Sequence, residues 1–219
     1  MFTHGDSTTA MLNPSFNVQR SVHYIIHSVS LSSLHMRSGS YPQYILNKAA
    51  QLSNDDETIE TKFYPLYCKI LTYWFPPADG YEICPKWTIP GSYNSTITLV
   101  IEHSRHPLLL IEIMPPSVFH RNSGRSAADL QVIECLDKIG RTNEFADRFY
   151  AISAIGKRWR ACYALKGQGS EGGHPVTGIA AADSLKATSP ECWNQDIASA
   201  ESWEALQSIV ETIKGYAQQ

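Results

Sequence analysis

Apolar positions recur along this chain with two different periods, and the change from one to the other organises it. From Asn17, a candidate cap, Val18, Val22, Ile25, Ile26 and Val29 follow at spacings of three and four, which predicts an amphipathic helix. Residues 1–16 before it are polar, contain Pro14, and read as a loose lead-in. The break Ser38-Gly39-Ser40 precedes a short second helix starting around Pro42, a residue suited to a first-turn position. Asn54, Asp55 and Asp56 open a third helical segment with Ile59, Phe63, Leu66, Tyr67, Ile70 and Leu71 on its apolar face. Pro65 inside that segment is expected to kink or interrupt it.

After Pro76-Pro77 the pattern becomes that of strands. Tyr81–Thr88 reads as a first strand, and Thr96–His103 and Leu108–Met114 as an antiparallel hairpin joined by Ser104-Arg105-His106-Pro107. The second hairpin strand is apolar throughout except for Glu112, which predicts burial on both faces. Ser126 is a candidate cap for a helix through Ile139 with Leu130, Ile133 and Leu136 inward. Phe149–Ile155 and Trp159–Leu165 read as two further strands around the turn Gly156-Lys157-Arg158. Residues 166–178 carry five glycines and form a loop or flap. From Ser199 the tail is an amphipathic helix with Trp203, Leu206, Val210, Ile213 and Ala217 on one stripe. The expected architecture is one α/β domain over 17–219, a central mixed β-sheet with an antiparallel hairpin, flanked by helices.

Composition narrows the setting. Apolar residues make up 43% of the 219 and charged residues 18%, enough apolar material for a sizeable core. The net charge of −3 speaks against a uniformly basic nucleic-acid binder but leaves room for a local basic cluster. The five cysteines contain no Cys-x-x-Cys pair, so zinc-ribbon and thioredoxin chemistry have no support. Their scattered placement suggests small buried hydrophobes in a reducing compartment. No secretory signal is visible, and no apolar run approaches the roughly 20 residues that cross a bilayer. A cytoplasmic or nuclear protein without membrane attachment is the expectation, with the sequon Asn94-Ser95-Thr96 unused.

The chemistry centres on Glu112. A carboxylate in a doubly buried strand is costly unless it is paired, hydrogen-bonded or bound to a metal. Residues two apart on a strand share a face, so Glu112 and Met114 project together. An odd-length hairpin connection would bring Asn94 to the same face, and Glu60 precedes the hairpin where it could lean over its open end. Glu102 has the right parity but lies near the turn with His103 and His106, remote from Asn94. The glycine-rich loop lacks the Gly-Lys-Ser/Thr ending of a phosphate loop, and no Gly-x-Ser-x-Gly nucleophile elbow occurs.

Four segments, Glu60–Leu71, Thr96–Pro116, Ser123–Gln131 and Tyr150–Tyr163, together resemble the PD-(D/E)XK nuclease-like superfamily, and more closely an uncharacterised fungal group within it. The resemblance spans residues 57–165, about half the chain. It implies a restriction-endonuclease-like fold. Active members hold Mg²⁺ or Mn²⁺ with an Asp and a Glu, and a Lys two residues after the Glu supports the attacking water. Here those positions read as Asn94, Glu112 and Met114, so the Asp and the Lys are both replaced. The resemblance also points to Gln131 near the site. Glu60 and Gln131 equally read as helix-surface groups, and Glu112 as a structural carboxylate bonded inside a retained scaffold.

Lys157, Arg158 and Arg160, with Trp159, form the best basic and aromatic cluster for phosphate contacts, and Arg121 and Arg125 add charge near the hairpin exit, although a solvated strand turn is the commoner reason for such a group. Three functions remain open: a catalytically impaired nuclease-like protein binding nucleic acid or a protein partner, an interaction or carbohydrate-binding module on the same fold, and an active nuclease with an atypical site. Only the last calls for Mg²⁺ or Mn²⁺, held by Glu112 and Asn94; otherwise no cofactor is expected.

Overall fold

The strands lie in the order β1-β2-β3-β4-β5-β6, with a seventh short strand also on β5. They are β1 (Tyr81–Pro85), β2 (Thr98–His103), β3 (His106–Met114), β4 (Arg148–Ile155), β5 (Arg158–Leu165), β6 (His174–Pro175) and β7 (Gln195–Asp196). Among the described residues, β3 and β4 pair in parallel and the remaining pairings are antiparallel. The helices described are α1 (Gln43–Ala50), α2 (Tyr64–Trp74), α3 (Asn122–Thr142) and α4 (Ala200–Ala217). This is a computed structural model, and it describes residues 39–52, 58–85, 98–142, 147–165, 174–175 and 189–217. The helix expected from Asn17, the lead-in before it, Asn94 and its sequon, and the glycine loop apart from β6 lie outside the described residues.

Parallel strands need a long crossover, and α3 supplies it between β3 and β4. The sheet therefore has two covered faces. Leu99, Ile101, Leu109, Ile111, Ile113 and Ile152 pack with Ile45, Leu66, Ile70, Leu206, Val210 and others, so α1, α2 and α4 form one layer. Val100, Leu110, Ala151 and Cys162 pack with Val132 and Leu136 of α3 on the other. Leu108 through Ile113 are all buried, as an apolar run between two helical layers requires.

The hairpin differs from the expectation in its turn. His103 pairs with His106, so Ser104-Arg105 alone make the connection, at φ 53° and 67°. Positive φ at both central residues is what a two-residue hairpin of this hand requires. The register then shifts between Ile101 and Glu102, leaving Leu108 as an extra residue on β3. Leu108 and Leu109 consequently both enter the same apolar cluster, which strict alternation would forbid. An even-length turn plus one bulged residue has the effect of an odd connection, and Thr98 faces the same side as Glu112.

Two helix expectations are corrected. Pro65 does not interrupt a helix; α2 begins at Tyr64 and the proline sits in its first turn, where its missing N–H costs nothing. Ile59 falls before that start and is 50% exposed. On the crossover helix, α3 begins at Asn122, ahead of Ser126, and Leu130 is 56% exposed. Its inward stripe is Arg125, Ala128, Asp129, Val132 and Leu136, containing two charged residues where apolar ones were expected. Those charges hid the true face from a reading by hydrophobic period.

At the tail, α4 buries Leu206, Val210 and Ile213 of its expected stripe and Ile209 beside them, while Trp203 and Ala217 are half-buried. Ser202 is also fully buried there and accepts a hydrogen bond of 2.7 Å from the Trp159 indole, tying α4 to β5. No described helix is long and apolar enough to cross a membrane.

Candidate functional site

Glu112 leaves β3 on the face covered by α3 and is 1% exposed. Its partners in register are Thr98 on β2 and Ser153 on β4, and Ser153 in turn lies beside Arg160 on β5. Thr98, Glu112, Ser153 and Arg160 thus form one polar row across four strands. Apolar clusters bound it on either side, around Val100 and Leu110 at one end and around Ala128, Ile155 and Trp193 at the other.

The row is internally bonded. Thr98 donates its hydroxyl hydrogen to Glu112 Oε2 at 2.7 Å. Arg160 Nη2 meets Asp129 Oδ1 of α3 at 2.9 Å, and its guanidinium lies 4.9 Å from the Trp193 ring centroid. Burial pushes the Asp129 carboxyl above its ordinary pKa, and the Arg160 charge offsets that only in part. The Ser153 hydroxyl is buried without a hydrogen-bond partner among the described residues.

Met114, at the position where the resemblance implies a lysine, is half-buried against the cluster of Ala128, Ile155, Cys192 and Trp193. A thioether is suited to such a gap and offers no charge or proton to a phosphate. Asn94, the expected companion of Glu112, lies outside the described residues.

Glu60 occupies a single 3₁₀ turn before α2 and accepts a hydrogen bond from the Tyr64 hydroxyl at 3.1 Å. That turn belongs to the layer on the other side of the sheet from the Glu112 carboxylate. Gln131 sits on α3, the layer on the Glu112 side, and its Oε1 is buried with no hydrogen-bond partner among the described residues.

The five expected basic residues separate into two groups. Arg160 is drawn inside by Asp129 and does not belong to a surface patch. Arg158 is exposed, with its guanidinium 4.3 Å from the Phe119 ring centroid; Arg125 lies 5.9 Å from the same centroid. Arg125 is buried and donates to the Phe119 carbonyl and, at 3.4 Å, to Asn122 Oδ1. It therefore holds the segment entering α3 in place. Arg121 is exposed on that segment, and half-buried Lys157 adjoins Arg158 in the β4–β5 turn.

A second cluster was missed in the sequence. Glu82 and Glu102 face each other across β1 and β2, and their carboxylate oxygens and the Cys84 sulfur all lie within 4.8 Å of one another. Burial and the adjoining Glu102 both raise the Cys84 pKa. Two hard oxygens and one soft sulfur at that separation are a donor set that could hold a divalent cation. Glu102 lies far along the chain from Glu82 and Cys84, and the β1–β2 register brings it to them. One acidic residue on each of two adjacent strands was the available signal.

None of the five cysteines is in a disulfide; Cys162 and Cys192 are buried and the other three half-buried. Comparison with protein-family models, curated proteins and solved structures finds no match.

Proposed function

We propose that this chain is a catalytically impaired nuclease-like protein that binds nucleic acid through the basic corner around Phe119. The observation that carries the impairment is the surroundings of Glu112 and Met114. The carboxylate is 1% exposed and held by Thr98, and its neighbour on the same face packs among apolar side chains. Phosphodiester hydrolysis on this scaffold needs an accessible anionic metal site and a charge to steady the water. Neither requirement fits those surroundings.

The order of helix, antiparallel hairpin, crossover helix and parallel strand supports the restriction-endonuclease-like reading of the α/β sheet. Arg121, Lys157 and Arg158 supply cations suited to phosphate contacts at the end of β3 and β4, close to the position of Met114.

The test is a cleavage assay with Mn²⁺ or Mg²⁺ on the wild type beside Asn94→Asp/Met114→Lys. The wild type should leave single- and double-stranded substrates intact. Wild-type cleavage abolished by Glu112→Ala would establish an active enzyme with an atypical site and refute the proposal. Absence of salt-sensitive nucleic-acid binding would turn attention to a protein or carbohydrate partner.

A further inference from the structure

We infer that the corner formed by Arg121, Lys157 and Arg158 reads the phosphodiester backbone of nucleic acid and takes no contribution from the bases. This rests on the nucleic-acid reading above and specifies its mode. Aromatic side chains in strand-binding proteins usually offer an open ring face on which a base stacks. Phe119 is the aromatic residue at this corner, and its ring is already in use.

One part of the ring packs against the cluster of Ala128, Ile155, Cys192 and Trp193. Two guanidiniums lie over it, Arg158 at 4.3 Å and Arg125 at 5.9 Å, and His120 meets it edge-on at 5.7 Å. A base could stack only by displacing Arg158, the cation best placed to meet a phosphate. Trp159, the other aromatic residue of the turn, is 1% exposed and its indole N–H is bonded to Ser202.

The arrangement instead orients a cation. A guanidinium held over a ring is already positioned and loses little further rotamer freedom on binding. Arg125 fixes the Phe119 backbone, so the ring itself is a rigid platform. Asp196 faces Arg158 across β5 and β7, and one of its carboxylate oxygens accepts the Ala198 N–H at 3.0 Å. That neighbour tempers the local charge, so binding should be weak above physiological ionic strength.

The experiment uses the full chain and fluorescence anisotropy with two probes: an oligothymidine of about 20 nucleotides and an abasic strand of equal length, from about 50 to 200 mM salt. Affinities for the two should agree within about threefold, since removing even one stacked base would cost about fivefold or more. Arg158→Ala should reduce the slope of log K against log salt by about 0.7, the share of one phosphate on a single strand. Arg158→Lys should keep the slope, and Arg105→Ala, at the hairpin turn, should leave binding unchanged. Loss of more than about fivefold on the abasic strand, or an unaltered slope in Arg158→Ala, overturns the backbone-only mode. Failure of both probes to bind at low salt removes the nucleic-acid reading itself, a separate result.

Discussion

Asp129 of α3 and Arg160 of β5 form an ion pair of 2.9 Å between side chains only 8% and 16% exposed. The raised pKa of Asp129 says that dehydrating the carboxylate costs more than Arg160 returns. Losing one partner and losing both should therefore have opposite consequences. Asp129→Ala should lower stability by about 3 kcal/mol by removing the carboxylate that faces the buried Arg160 charge, whereas Asp129→Leu/Arg160→Met should match or exceed the wild type. Urea unfolding of the three proteins decides it, and a double variant weaker than Asp129→Ala would contradict the reasoning.

The same pair predicts a pH dependence. The folded state holds the Asp129 proton more tightly than the unfolded chain does, because its folded pKa is raised. Its contribution to stability is then complete below the ordinary aspartate pKa and is lost as pH rises through the folded value. The wild type should show this decline in that window, and Asp129→Asn should lack it. Unfolding free energies measured at intervals from acid to neutral pH give both slopes, and identical slopes would remove Asp129 as the source.

Thr98 donates to a carboxylate with almost no access to water. Thr98→Val keeps the shape and removes the donor, so it should destabilise by about 2 kcal/mol. Thr98→Ser retains the hydroxyl and should recover most of the loss. Denaturant midpoints for the two variants check this, and equal midpoints would show that the hydroxyl contributes nothing.

Met114→Lys alone would place an ammonium against Ile155 and Trp193. The half-buried position leaves the long side chain an outlet, so a cost of about 1–2 kcal/mol is expected, without any gain of cleavage. Thermal unfolding with a parallel metal-dependent cleavage assay reads both. A stable and active Met114→Lys would mean that a single residue silences the scaffold.

The longer strands β2 to β5 were legible because their apolar runs are long and their turns are marked, whereas the two-residue β6 and β7 carry no such run. The hairpin, the doubly buried β3 and the closing helix α4 all follow from local pattern. Pro65 was misjudged because Asn54–Asp56 looked like the start of the same helix; the real start lies at Tyr64, which turns a breaker into a first-turn residue. Leu130 was expected inside because apolar spacing cannot anticipate that Arg125 and Asp129 point inward to partners on other elements.

The polar row escaped notice for a related reason. Thr98, Glu112, Ser153 and Arg160 become neighbours only through register across four strands. Glu112 stood out alone because it interrupts an apolar run. Thr98 and Ser153 each looked like an ordinary polar position in a strand, and Arg160 like one member of a basic surface turn.

The extra residue Leu108 acts as a phase shifter for the sheet. Were it paired instead of bulged, the register that now joins His103 to His106 would continue unshifted along the whole hairpin. By that count Ile97 would stand opposite Glu112, and Thr98 would turn to the far layer of helices. One uncounted step in the ladder thus decides whether the buried carboxylate meets a hydroxyl or a hydrocarbon.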